Sequence, residues 1–144
     1  MFICIGNEKI IGDSLGPRCG TIIKKCGFEN KIIEVIGTKE YPLGYCELYR
    51  KKDYINKNVN KKIVIDSALG SSKNVGKVLI SKNSFIAGNG INKGLKINAD
   101  IILQGIVGNN YDNIEQNKIE LAYANEKTVK LVMKKILKIL PQIV

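Results

Sequence analysis

The chain has 144 residues, 44% of them hydrophobic and 25% charged, which suits a single domain over 1–144 that buries its own core without disulfides or a structural metal. It contains no histidine, and this excludes Ser-His-Asp and Cys-His catalysis and most zinc or nickel sites. The net charge of +10 rests on lysine, with arginine only at Arg18 and Arg50, so it reads as solvated surface rather than a nucleic-acid interface.

Phe2-Ile3-Cys4-Ile5 is a short apolar run stopped by Gly6-Asn7, which predicts a buried strand and then a turn. This start lacks the basic stretch and long apolar run of a signal peptide, and no later window is apolar for long enough to cross a bilayer. The expectation is a soluble, cytoplasmic protein with no membrane partner. Leu15, Cys19, Ile22, Ile23 and Cys26 then fall at helical spacing, with Gly27 as the stop. Asp13 or Ser14 is placed to cap that helix, and Pro17 is tolerated in its first turn. The four cysteines (Cys4, Cys19, Cys26 and Cys46) form no C-x-x-C pair. Three of them lie in apolar stripes and are expected as reduced, small core residues.

Residues 32–36 predict a second strand, and Leu43 to Lys52 a second, weaker helix. Ile63-Val64-Ile65-Asp66 reads as a central strand that ends on an acid, and 75–80 as a further strand. A glycine-rich loop covers Gly88–Gly94, followed by a buried strand over Ala99–Leu103. Ile119, Ala122, Val129, Val132, Met133, Ile136, Leu137 and Leu140 give one apolar face to a long terminal helix, opened by an Asn113/Gln116 capping box and ended by Pro141. Strands alternating with helices predict an α/β fold with a mostly parallel sheet covered on both faces.

In such sheets, sites gather beyond the carboxyl ends of the strands. Three polar, glycine-bearing loops are expected at that edge: Gly6–Gly16, Asp66–Ser72 and Gly88–Gly94. The acids they present are Asp13 and Asp66. Two carboxylates sharing a wet cleft split their pKa values, so that one holds a proton while the other can take one from water. That is the minimum equipment for hydrolysing an amide without histidine. Each residue also has a structural use: Asp13 as a helix cap, Asp66 in an Asx-turn, and the glycine loop as a plain turn. Gly70 and Gly76-Lys77 do not make a phosphate loop, because the spacing is one residue too long and no Ser or Thr follows the lysine.

Cys4-Ile5-Gly6-Asn7 followed by Gly12-Asp13-Ser14-Leu15-Gly16-Pro17 resembles the opening of the YyaC-type spore proteases of endospore-forming bacteria. Collinear stretches extend the resemblance over nearly the whole chain: Gly37-Thr38 with Pro42, Ile65-Asp66-Ser67-Ala68-Leu69-Gly70, Gly76-Lys77, Gly88-Asn89-Gly90-Ile91-Asn92-Lys93 and Gly105-Ile106-Val107. That family is similar in fold to germination protease and the hydrogenase-maturation endopeptidases, so the resemblance implies a three-layer α/β/α sandwich of the phosphorylase/hydrolase-like type. It implies a sporulation-associated peptidase in the sporulating cell or forespore, acting on a specific protein or peptide substrate through Asp13 and Asp66. Gly6, Asn7, Ser67 and the Gly88–Gly90 backbone would shape the cleft and offer amides to the developing oxyanion, and Lys93 would orient substrate. In the hydrogenase-maturation enzymes the matching acids help hold nickel together with a histidine. The lack of histidine here favours a pair of acids with no metal or cofactor. The alternatives are a non-catalytic binding or regulatory protein on the same scaffold, and a metal-dependent enzyme in which Glu40 or Cys46 replaces the histidine.

Overall fold

The computed structural model describes residues 1–29, 31–88 and 94–144. A five-stranded sheet forms the centre, in the order β2-β1-β3-β5-β4. Its strands are β1 (Phe2–Cys4), β2 (Val35–Ile36), β3 (Ile63–Gly70), β4 (Val78–Ala87) and β5 (Leu95–Asn109). The first four in spatial order are parallel, and β4 returns antiparallel to β5 as a long hairpin. Helices α1 (Leu15–Cys26), α3 (Ile114–Ala122) and α4 (Glu126–Ile143) belong to one face and α2 (Tyr45–Lys57) to the other. The fold is therefore a mostly parallel sheet covered on both faces, as the alternation of elements predicts, in the three-layer α/β/α arrangement that the resemblance implies.

Helix α1 follows from its stripe: Leu15, Cys19 and Ile23 are spaced by one turn, and all three are buried. Its fit against β1 is unusually close because small residues face the sheet. A Cβ at Gly16 would stand 2.0 Å from the Ile5 carbonyl oxygen, and one at Gly20 would stand 1.9 Å from that of Gly37. Leu15 also reaches β5, where a Cβ on Gly105 would meet it at 2.5 Å and Val132 of α4 at 2.1 Å. Arg18 makes a two-pronged ion pair with Glu126, fastening the start of α1 to the start of α4.

Several elements depart from the sequence expectation. Strand β2 is only Val35–Ile36, and Ile32 is fully exposed at the sheet edge. Helix α2 begins at Tyr45 and runs on to Lys57, because Leu48 and Ile55 carry its buried stripe past the expected end at Lys52. The terminal helix is two helices, since the Asn125 side chain accepts bonds from the Lys127 and Thr128 amides at 2.8 and 3.4 Å and starts α4 afresh. Pro141 does not end α4 but sits in its last turn, where the next bond, Val144 N–H to the Leu140 carbonyl at 3.0 Å, is still made. Only Cys4 and Cys19 are buried, whereas Cys26 at the end of α1 and Cys46 are exposed; all four are free thiols.

The largest difference concerns β3, β4 and β5. Strand β3 does not end on Asp66 but continues to Gly70, because β5 pairs with it all the way to Gly70↔Asn109. The hairpin extends well beyond the strands expected at 75–80 and 99–103. A register shift between Ser81 and Asn83 marks a bulge, with Asn83 at φ 84°. In a straight strand Leu95 would lie about 30 Å from Gln104. Yet Phe85, Ala87, Leu95 and Ile97 share one buried cluster with Ile5, Leu43 and Leu48. The outer half of the hairpin therefore folds back over the face that carries α2, and it brings Gly88 towards the carboxyl edge of β1.

Candidate active site

Asp13 and Asp66 are placed by the two central parallel strands. The chain leaves β1 at Gly6, where φ is +148° and a Cβ would stand 2.0 Å from the Asp13 carbonyl oxygen. The Asn7 amide bonds to that same carbonyl at 3.0 Å, and the Asn7 side chain accepts from the Lys9 amide at 3.0 Å. These contacts fold residues 6–13 into a compact loop whose last turn, Ile11–Asp13, is a 3-10 helix. Asp13 does not cap α1: Ser14 occupies that position, and its hydroxyl donates to the Ile11 carbonyl at 2.7 Å.

Asp66 lies inside β3, one residue past the last pairing of β3 with β1, Cys4↔Ile65. Successive strand residues alternate between the two faces. Ile63, Ile65 and Leu69 pack on the α1 and α4 side, and Val64 packs on the α2 side. Ser67 is thus turned toward Asp13, and its hydroxyl hydrogen-bonds the Asp13 carboxylate. Asp66 stands on the opposite side of the strand, close enough to feel the Asp13 charge.

Both side chains are half-buried. Burial raises the Asp13 pKa from 3.8 to about 6, and the bonds from the Asn7 backbone and the Ser67 hydroxyl oppose that rise. Asp66 is pushed well above the ordinary carboxylate range, first by burial and then by the charge of Asp13, with the Ser67 amide opposing. Both carboxyls therefore hold their protons more firmly than exposed carboxylates do, Asp13 through burial and Asp66 through burial and the charge of Asp13.

The pair opens on a cleft of about 880 Å³. Gly6, Ile10, Asp13, Ile114, Asn117 and Leu121 line it on the α1 and α3 side, and Gly44, Tyr45, Ala87 and Gly88 on the α2 side, with β3 residues Asp66–Gly70 along its floor. Of the other residues expected at the site, Gly6, Ser67 and Gly88 line this cleft, while Asn7 serves its own loop. Gly90 and Lys93 lie outside the described residues. The Gly6 amide is already bonded to the Leu43 carbonyl at 3.0 Å and the Asn7 amide to Asp13, so neither is a spare oxyanion donor. Sequence reasoning missed Tyr45 and the polar wall of Gln104, Asn110, Asn113 and Asn117. The available signal was the run Asn109-Asn110-Tyr111-Asp112-Asn113, a polar loop after a buried parallel strand.

The residues do not fit a nickel or zinc centre. Three carboxylates line the cleft, Asp13, Asp66 and Asp112, but Glu40 and Cys46 are exposed, and among the described residues no three Cys, Asp or Glu side chains converge.

Residues 1–140 match the family described as protein of unknown function (DUF1256), and the chain belongs to that family. No curated protein sequence matches it. Among solved structures it is similar to the [NiFe] hydrogenase maturation protease HybD from Thermococcus kodakarensis, with a TM-score of 0.54 at 18% identity. The likeness covers 98% of this chain and 95% of that one, and it establishes a shared fold. Among the described residues no helix is long and apolar enough to cross a membrane.

Proposed function

We propose that this protein is a sporulation-associated peptidase that cleaves a specific protein substrate, with Asp13 and Asp66 as its acid–base pair, in the cytoplasm of the sporulating cell or forespore. The observation that carries the reading is the pair itself: Asp13 on the loop that follows β1 and Asp66 on the neighbouring parallel strand β3, both open to one cleft and both pushed above the ordinary carboxylate range. A fold shared with a hydrogenase maturation protease and the collinear resemblance to spore proteases support it.

In this mechanism Asp13, ionised, takes a proton from a water molecule as its oxygen bonds to the substrate carbonyl carbon. Asp66, protonated, gives its proton to the amide nitrogen as the carbon–nitrogen bond breaks. The cycle closes when Asp13 loses its proton to solvent and Asp66 regains one. Gly6, Ser67 and Gly88 shape the cleft around the reacting bond. The reading is tested by treating an extract of sporulating cells with the parent protein or with Asp13→Asn and Asp66→Asn, then labelling new amino termini for mass spectrometry. A small set of termini made only by the parent protein is expected. Identical sets from all three would overturn the reading in favour of a non-catalytic binding protein.

A further inference from the structure

Strand β3 carries an unused edge inside the cleft. Its pairing with β1 stops at Ile65, while β5 stays paired on the other side as far as Gly70. Among the described residues no strand lies against Asp66–Gly70 in the line that β1 would continue. The direction of the backbone groups there follows from the bonds on either side. Ile63 N–H donates to the Met1 carbonyl and Ile65 C=O accepts from Ile5, so odd-numbered residues of β3 address the β1 side. Gly70 C=O accepts from Asn110 at 2.8 Å, so even-numbered residues address β5. Ser67 and Leu69 therefore turn toward the vacated line, about 6.6 Å apart; the Ser67 N–H bonds the Asp66 carboxylate, which leaves the Ser67 C=O and the N–H and C=O of Leu69 as the edge groups.

That edge is accessible. Residues 66–70 all keep part of their surface and all line the cleft. Native proteins usually blunt or cover a free strand edge, because it invites pairing with another chain. Here it is recessed between two walls, and the carboxylates flank it, Asp13 with Ser67 on one side of the strand and Asp66 on the other. A row of alternating donors and acceptors is complemented by one kind of occupant, an extended polypeptide backbone.

We propose that the cleft takes its substrate as an extended peptide added to the edge of β3 at Ser67–Leu69, continuing the line of β1. This rests on the peptidase reading, since the occupant is the polypeptide to be cut. The added strand passes between Asp13 and Asp66, with the scissile bond next to Ser67. Its alternate side chains face Ile114, Asn117 and Leu121 on one wall, and Tyr45 and Gly88 on the other. Sequence preference would come from those walls and affinity from the backbone.

The test uses the Asp13→Asn/Asp66→Asn double variant, which cannot turn over its ligand, and heptapeptides selected on it from a randomised display library. The best binder is resynthesised with single backbone N-methyl groups at each position in turn. The expected result is a loss of about tenfold or more at alternate positions with little change between them, together with slowed hydrogen exchange of the Leu69 amide. Leu69→Pro, which removes one edge donor, should weaken binding to a similar degree. Uniform tolerance of N-methylation, an unprotected Leu69 amide, or failure to select any binder that competes for the cleft would overturn the proposal. The two readings fail separately. Cleavage by the parent protein without an alternating pattern would leave the peptidase and remove the added strand. An alternating pattern without cleavage would do the reverse.

Discussion

The charge of Asp13 reaches Asp66 across the edge of β3, so the Asp66 carboxyl holds its proton more firmly than burial alone would make it. One folding decision creates this relationship: β1 stops just where β3 presents Asp66, and the loop that follows β1 turns back to present Asp13.

Such a pair is costly to the fold. Because burial raises the folded-state pKa of Asp13 from 3.8 to about 6, the native state binds its proton more tightly than the unfolded chain, and stability falls as pH rises through that interval. Asp66 acts in the same direction. Asp13→Asn should therefore stabilise the protein at neutral pH by roughly 1–3 kcal/mol, with the gain disappearing once the pH is below the ordinary carboxylate range. Chemical denaturation of both proteins across that range measures it.

Catalysis by the pair requires Asp13 ionised and Asp66 protonated. Cleavage of a substrate found by terminus labelling should rise with pH through about 6 and fall again at higher pH as Asp66 ionises. Asp66→Asn should remove the falling limb together with most of the rate, on the order of a hundredfold or more. A pH–rate profile of kcat/KM is the measurement.

Gly6→Ala tests how Asp13 is positioned. The added methyl group would meet the Asp13 carbonyl oxygen at 2.0 Å, on a backbone at φ +148° that other residues rarely adopt. The loop must shift, so activity should fall by about tenfold or more while the core stays folded, because misplacing a catalytic group by about an ångström is expensive. Circular dichroism and cleavage rate, measured together, separate the two effects.

Gly105→Ala should act on stability instead. Its methyl group would meet Val132 at 2.1 Å and Leu15 at 2.5 Å, beneath the strand residue paired with Ser67. Overpacking of this kind costs roughly 1–3 kcal/mol, readable as a lowered midpoint in urea.

The fold was legible where residues repeat with a helical period or run apolar without a break. Leu15, Cys19 and Ile23, and Ile63 to Ile65, announced α1 and the centre of the sheet. The outer hairpin was legible only in part: Leu95, Ile97 and Ala99 alternate with Lys96, Asn98 and Asp100 at strand period, but its bulge is formed by ordinary polar residues that give no signal. Asp13 and Asp66 stand out in the sequence because Asp13 follows a buried strand and the Gly6-Asn7 turn signal, and Asp66 comes directly after the apolar run Ile63 to Ile65. The polar wall from Gln104 to Asn117 does not, since its asparagines also serve local turns and caps: Asn113 accepts from Gln116 at 3.0 Å and Asn117 from Tyr111 at 2.9 Å. Backbone pairing is not written in side chains at all, so the open edge of β3 emerges only when β1 is seen to stop.

The most direct measurement of the central claim is a carboxyl-carbon NMR titration of the protein labelled at aspartate, with Asp13→Asn and Asp66→Asn for assignment. The expected result is two steps, both above the ordinary carboxylate range and one of them near pH 6, with the Asp66 step moving down when Asp13 is replaced. Two independent steps in the ordinary carboxylate range, unmoved by either substitution, would leave no proton donor at neutral pH and would contradict the acid–base pair.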